Sequence, residues 1–118
     1  MRHTFTTTDG TKFEFICETW STRSAWGHEC KLYEGDSYEP VSRARVRYYN
    51  RTWEAYQYQS VMMGAVYSLI RERRADLVQA WKDAHGRKRA TEAQKADAVR
   101  GDKYLERLDN LMNLIRAH

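Results

Sequence analysis

Apolar and polar residues alternate through the first half of the chain and recur at helical spacing through the second. Residues 2–8 and 11–20 flank Asp9-Gly10, a dipeptide suited to a two-residue type I′ hairpin because both central positions need positive φ. That turn pairs Thr8 with Thr11, Thr6 with Phe13 and Thr4 with Phe15. It places Phe13, Phe15 and Cys17 on one face of the second strand, Lys12, Glu14 and Glu18 on the other, and His3 away from the core side. A third strand alternates Trp26, His28, Cys30 and Leu32 with Glu29, Lys31 and Tyr33. With Thr22–Ala25 as the turn, Cys17 lies across from Cys30 and Phe15 from Leu32, so both apolar sets meet on one face. Glu34–Pro40 is turn-rich, and the fourth strand, Val41 to Tyr49, sets Ala44, Val46 and Tyr48 against Arg43, Arg45 and Arg47. This register puts Glu18, Glu29 and Arg47 in one row, with Lys31 beside Arg45.

The period then changes. Asn50 or Thr52 caps a helix of about 20 residues through Arg73, with a broad apolar stripe from Trp53, Tyr56, Val61, Met63, Ala65, Val66, Tyr67, Leu69 and Ile70. Ser60 and Gly64 are small residues one turn apart, where another element can approach. Asp76 to His85 reads as a short second helix carrying Leu77, Val78 and Trp81, ended by Gly86. Thr91-Glu92-Ala93-Gln94 is a capping box that opens a third helix, apolar at Tyr104, Leu105, Leu108, Leu111, Met112 and Ile115. Arg100-Gly101-Asp102 is a point of interruption there, with Asp102 as a second cap. The expected architecture is α+β: an N-terminal four-stranded antiparallel sheet packed by a long central helix and two further C-terminal helices. It forms one domain over 1–118, with 1–50 as the sheet half and 51–118 as the helical half.

Composition narrows the class. Four Trp, eight Tyr and three Phe supply large apolar area for a modest core. No long apolar run and no secretory pattern is present, so the chain reads as a soluble protein of the cytoplasm. Two cysteines are too few for a disulfide scaffold and fit a reducing compartment. The net charge of +4 is unevenly spread. Residues 1–50 are balanced, whereas 71–90 hold Arg71, Arg73, Arg74, Lys82, Arg87, Lys88 and Arg89 against Glu72, Asp76 and Asp83. A basic stretch of this kind suits nucleic acid or an acidic protein surface, and also an ordinary solvated helix face.

Cys17, His28 and Cys30 are the one metal-like constellation, and zinc takes such donors. Their spacing is not that of a zinc knuckle and no fourth ligand is evident, so packing of free cysteines in the core is preferred. A Cys–His nucleophile would need an exposed, activated thiol, which a mid-strand position does not offer. Phosphate loops, nucleophile elbows and metalloprotease or deaminase motifs are lacking. The expectation is a non-enzymatic protein with no cofactor and no metal. The arginines of the fourth strand invite a nucleic-acid reading, but cross-strand charge pairing is preferred. Val46–Met63 gathers five aromatic residues and two arginines at the strand-to-helix junction. Tyr48, Trp53 and Tyr56 read as the hinge locking helix to sheet. Tyr49, Arg51, Gln57 and Tyr58 fall on other faces and read as a partner surface.

Three pieces carry a resemblance: Thr19-Trp20-Ser21-Thr22-Arg23-Ser24-Ala25-Trp26-Gly27-His28, Arg47-Tyr48-Tyr49-Asn50-Arg51-Thr52-Trp53, and Glu54 through Met62 (Glu-Ala-Tyr-Gln-Tyr-Gln-Ser-Val-Met). Over about residues 13–70 the chain resembles small uncharacterised proteins of phages and integrative elements of gut bacteria. The resemblance implies an accessory, host-interaction role, a class in which anti-CRISPR inhibitors are prominent. It assigns no residue roles. Many such inhibitors are acidic DNA mimics, and this chain is basic instead.

The expected function is a phage or mobile-element inhibitor that binds a host defence component, such as a Cas effector complex. The alternative is a nucleic-acid-binding protein using its basic helical half on phosphates. The partner-binding residues expected are Tyr49, Arg51, Gln57, Tyr58, Arg71, Arg73, Arg74, Arg87, Lys88 and Arg89. No membrane contact is expected, and the chain is a monomer or a homodimer joined through Ser60, Gly64 or the C-terminal leucines.

Overall fold

The computed structural model describes residues 1–48 and 57–118. Four strands, β1 (Arg2–Thr6), β2 (Lys12–Ser21), β3 (Trp26–Glu34) and β4 (Ser42–Tyr48), form one antiparallel sheet in chain order. Three helices follow: α1 (Gln57–His85), α2 (Glu92–Val99) and α3 (Lys103–Ala117). The expected α+β architecture holds, with one sheet face covered by helices. The core joins Phe5, Phe13, Phe15, Cys17, Cys30 and Leu32 of the sheet to Val61, Met62, Ala65, Val66, Leu69 and Ile70 of α1. Leu105, Leu108, Leu111, Met112 and Ile115 of α3 complete it. Met62 is fully buried and Tyr67 exposed, the reverse of the expected stripe at those two positions.

Two registers differ from expectation, each for a local reason. The first hairpin closes on Thr7 and Thr11, whose backbones bond at 2.9 Å, and Gly10 supplies positive φ at the end of a three-residue loop. The Asp9 carboxylate accepts from the Thr7 hydroxyl and the Thr11 amide, which holds this wider turn. Phe5 therefore faces Phe13, and His3 faces Phe15. A one-residue slip exchanges faces, so Phe5 joins the core and His3 lies on the helix side. The β2–β3 register is as expected, Cys17 opposite Cys30 and Phe15 opposite Leu32, with Thr22 bonded to Ala25 across the turn. Between β3 and β4, Tyr33 and Glu34 pair only with β2, so the return begins at Leu32 opposite Ser42. Arg45 then faces Glu29, Arg43 faces Lys31, and Arg47 faces Gly27.

The cysteines also differ: Cys17 and Cys30 form a disulfide, and no free cysteine remains. The reason is register. Directly opposed residues sit 4.2 Å apart at Cα, close enough for the two sulfurs to bond. A 13-residue separation makes the cross-link worth about 3 kcal/mol through the denatured chain. Neither sulfur is a thiolate, so neither is available to a metal.

A single helix replaces the expected pair over Gln57–His85. Arg71 to Asp76 contains neither Gly nor Pro and is rich in good helix formers, so nothing ends the helix before Gly86, at φ 64°. The break expected at Arg100–Asp102 is real. Asp102 caps α3 by accepting from the Leu105 amide at 3.0 Å, and Thr91 and Gln94 form the capping box of α2. Gly64 faces Ala44 of β4, and the C-terminal leucines pack within the chain. Among the described residues no helix is long and apolar enough to cross a membrane.

Candidate binding surface

The basic residues expected to meet a partner divide into fasteners and free cations. Arg73 is a fastener: it donates to both oxygens of Asp102, at 3.1 and 2.8 Å, tying the middle of α1 to the cap of α3. This bond is the main cause of the Asp102 carboxyl titrating below its ordinary range and of the Arg73 guanidinium being held more firmly protonated. Arg107 likewise binds Asp9 at 2.7 Å and Glu34 at 3.5 Å, fixing α3 to the first hairpin and the end of β3. Tyr104 lies beside both arginines, and burial, with the charge of Glu34, pushes its phenol up to about 12.

Arg71, Arg74, Arg87, Lys88 and Arg89 are exposed, and among the described residues none makes an ion pair. Arg87, Lys88 and Arg89 lie just past Gly86, at the end of α1. Between α1 and α2 runs a shallow groove whose floor is Ala75, Val78, Ala96 and Val99, edged by Arg74, Lys82 and Lys95. α2 itself has no buried residue and packs chiefly on α1, with Val99 partly buried against the core.

The junction residues fare differently. Tyr49 and Arg51 lie outside the described residues, as do Trp53 and Tyr56 of the expected hinge. Gln57 is the first residue of α1. Tyr58 turns inward: its hydroxyl is 2.6 Å from the Thr19 hydroxyl, and its ring rests on His28 with centroids 4.1 Å apart. Trp26, His28 and Tyr48 complete an aromatic cluster at this end of the sheet. Tyr48 packs here on β3, and it is Tyr58 that brings α1 to the cluster.

On the outer face of the sheet, opposite the helices, sequence reasoning preferred charge pairing for the β4 arginines and missed Trp20. Trp20 lies flat there over Gly27, where a methyl group would collide with the indole and with the Val46 carbonyl. The Arg45 guanidinium stacks on Trp20 at 4.0 Å from its centroid, and Arg47 approaches at 5.4 Å. The signal was a cross-strand one: Trp20, Gly27 and Arg47 are consecutive partners in one row. Among the described residues no three His, Cys, Asp or Glu side chains cluster to hold a metal ion. Compared with known proteins, the chain matches no family model, no curated protein and no solved structure.

Proposed function

We propose that this protein works by binding rather than by catalysis, as a phage or mobile-element inhibitor of a host defence complex in the bacterial cytoplasm. The observation that carries the reading is the far end of α1. There Arg87, Lys88 and Arg89 stand exposed without a carboxylate in ion-pair reach among the described residues, joined by Arg71 and Arg74 along the helix. Cations left unneutralised on one end of a molecule favour an acidic partner surface and speed its encounter. The resemblance of residues 13–70 to mobile-element accessory proteins supplies the class of partner, a Cas effector complex being the one expected. In the cytoplasm the Cys17–Cys30 bond would be shielded, since both residues are buried.

Phage plating on a host with an active CRISPR system tests this. Expression of the chain should restore plating, and the triple variant Arg87→Glu, Lys88→Glu, Arg89→Glu should lose that effect while remaining folded. No restoration by the wild type would refute the inhibitor reading. The second reading, direct nucleic-acid binding by the same residues, is favoured by the excess of unpaired cations. It predicts gel shifts that weaken steeply with salt.

A further inference from the structure

We propose that the outer face of the sheet along β4 is a binding site for single-stranded nucleic acid, with Arg43, Arg45 and Arg47 tracking the phosphates and Trp20 positioning two of them. The proposal deepens the binding role argued above by naming a second surface and its ligand.

The spacing comes first. Alternate residues of a strand point to the same side, so these three arginines stand in a line with about 6.8 Å between neighbours. That is the scale on which consecutive phosphates of an extended single strand repeat. All three are exposed. Lys31 lies directly across from Arg43 and extends the positive row onto β3.

The state of the guanidiniums is the second point. Arg45 faces Glu29 across the strands, yet it makes no ion pair with that carboxylate or any other among the described residues. It lies on the Trp20 ring instead. A stacked guanidinium has its plane fixed while its N–H donors, five in number, stay in the plane and point outward. No described residue accepts a hydrogen bond from Arg43, Arg45 or Arg47. The side-chain entropy that a phosphate contact normally costs has thus been partly spent in folding. Gly27 is the device that permits this, since any larger residue would lift the indole off the sheet.

The face is not uniformly basic. Glu18 and Glu29 oppose each other on β2 and β3. They confine the positive track to the β4 side, and a strand of phosphates is steered along the edge rather than across the sheet. A duplex would meet those carboxylates, whereas a single strand follows the edge and offers a base to Tyr33 on the same face, the indole of Trp20 being covered by Gly27 and Arg45.

Anisotropy of a short labelled oligothymidylate, titrated with protein at several salt concentrations, decides the matter. Each phosphate neutralised on a single strand contributes about 0.7 to the salt slope, so replacing all three arginines should reduce it by about 2. The variant is Arg43→Gln, Arg45→Gln, Arg47→Gln, with circular dichroism to confirm the fold. Trp20→Leu should weaken binding several-fold and leave the slope nearly unchanged, because it removes a positioning ring and no charge. Arg87→Gln, Lys88→Gln, Arg89→Gln serves as the control at the other surface. Absence of oligonucleotide binding by the wild type overturns the proposal. So does an unaltered slope in the β4 variant, or a loss confined to the α1 variant, which would leave the α1-end reading standing. Equal binding of an acidic peptide through the same three arginines would also overturn it.

Discussion

Two glycines show how far a single residue's meaning depends on what stands opposite. At Gly27 an added methyl would lie 1.9 Å from the Val46 carbonyl and 2.7 Å from the indole of Trp20. Neither a paired strand nor a wedged ring yields cheaply, so Gly27→Ala should cost about 3 kcal/mol, read from denaturant unfolding. At Gly64 the methyl would meet the Ala44 side chain at 3.5 Å, an ordinary contact, and the backbone is already helical. Gly64→Ala should therefore stabilise by about 0.5–1 kcal/mol, through the higher helix propensity of alanine and a less flexible unfolded chain. A fall in melting temperature for that variant would mean that β4 packs more tightly on α1 than the geometry shows. The sequence marked Gly64 as a place of close approach and passed over Gly27, the more constrained of the two. The difference is that Gly64 is recognised from its own helix, whereas Gly27 needs the β2–β3 and β3–β4 registers together.

Elements were more legible than their joints. The alternation of Phe13, Phe15 and Cys17 with Lys12, Glu14 and Glu18, and the helical recurrence of Leu105, Leu108, Leu111 and Ile115, are read within one segment. Both survived in the structure because burial enforces them. The first hairpin register did not, since Asp9-Gly10 suits two loop lengths and only the Asp9 bonds to Thr7 and Thr11 choose between them. The break expected after Arg73 falls within a run of charges, and charges on an exposed helix face do not terminate a helix. Burial sets the expected costs. Leu108→Ala and Leu111→Ala, both in fully buried positions of α3, should each lose about 3 kcal/mol. The disulfide belongs to this scale as well. Thiol titration of the unfolded, unreduced protein should find none, and reduction should release two while lowering the melting temperature. The candidate site was half legible: the free cations past Ile70 stood out by composition, whereas Arg73 and Arg107 looked identical to them. Only the tertiary positions of Asp102 and Asp9 separate a fastener from a contact residue.

For the molecule as a whole, acid should act through those fasteners. Asp9 and Asp102 both have carboxyls held below the ordinary aspartate range, Asp9 by Thr7 and Arg107 first, Asp102 by Arg73. A depressed folded pKa gives stability that is complete above the unfolded value and is lost as pH falls through the folded one. Melting temperature should hold from neutral pH down to about 5 and fall below it, as the unfolded carboxyl of about 3.9 takes up protons ahead of the folded one. Asp102→Asn should flatten that decline, because it removes one of the two groups responsible. An unchanged acid limb would show that Arg73 and Asp102 do not hold each other in solution.

The same Arg73–Asp102 bond marks a boundary in the 51 Å length of the protein. On one side α1 is sunk between sheet and α3; on the other it continues with Leu77, Val78 and Trp81 half-exposed, with α2 as the main neighbour and Leu77 still touching the core. A segment with so little buried surface opens at a lower free energy than the body it is attached to. Backbone amides of residues 77–99 should accordingly exchange with deuterium as a group, sooner than those of Val61–Ile70, without the body unfolding. The basic end of α1 then belongs to a part that folds and frays on its own schedule. A partner gripping it would slow that exchange and leave the sheet's rates untouched.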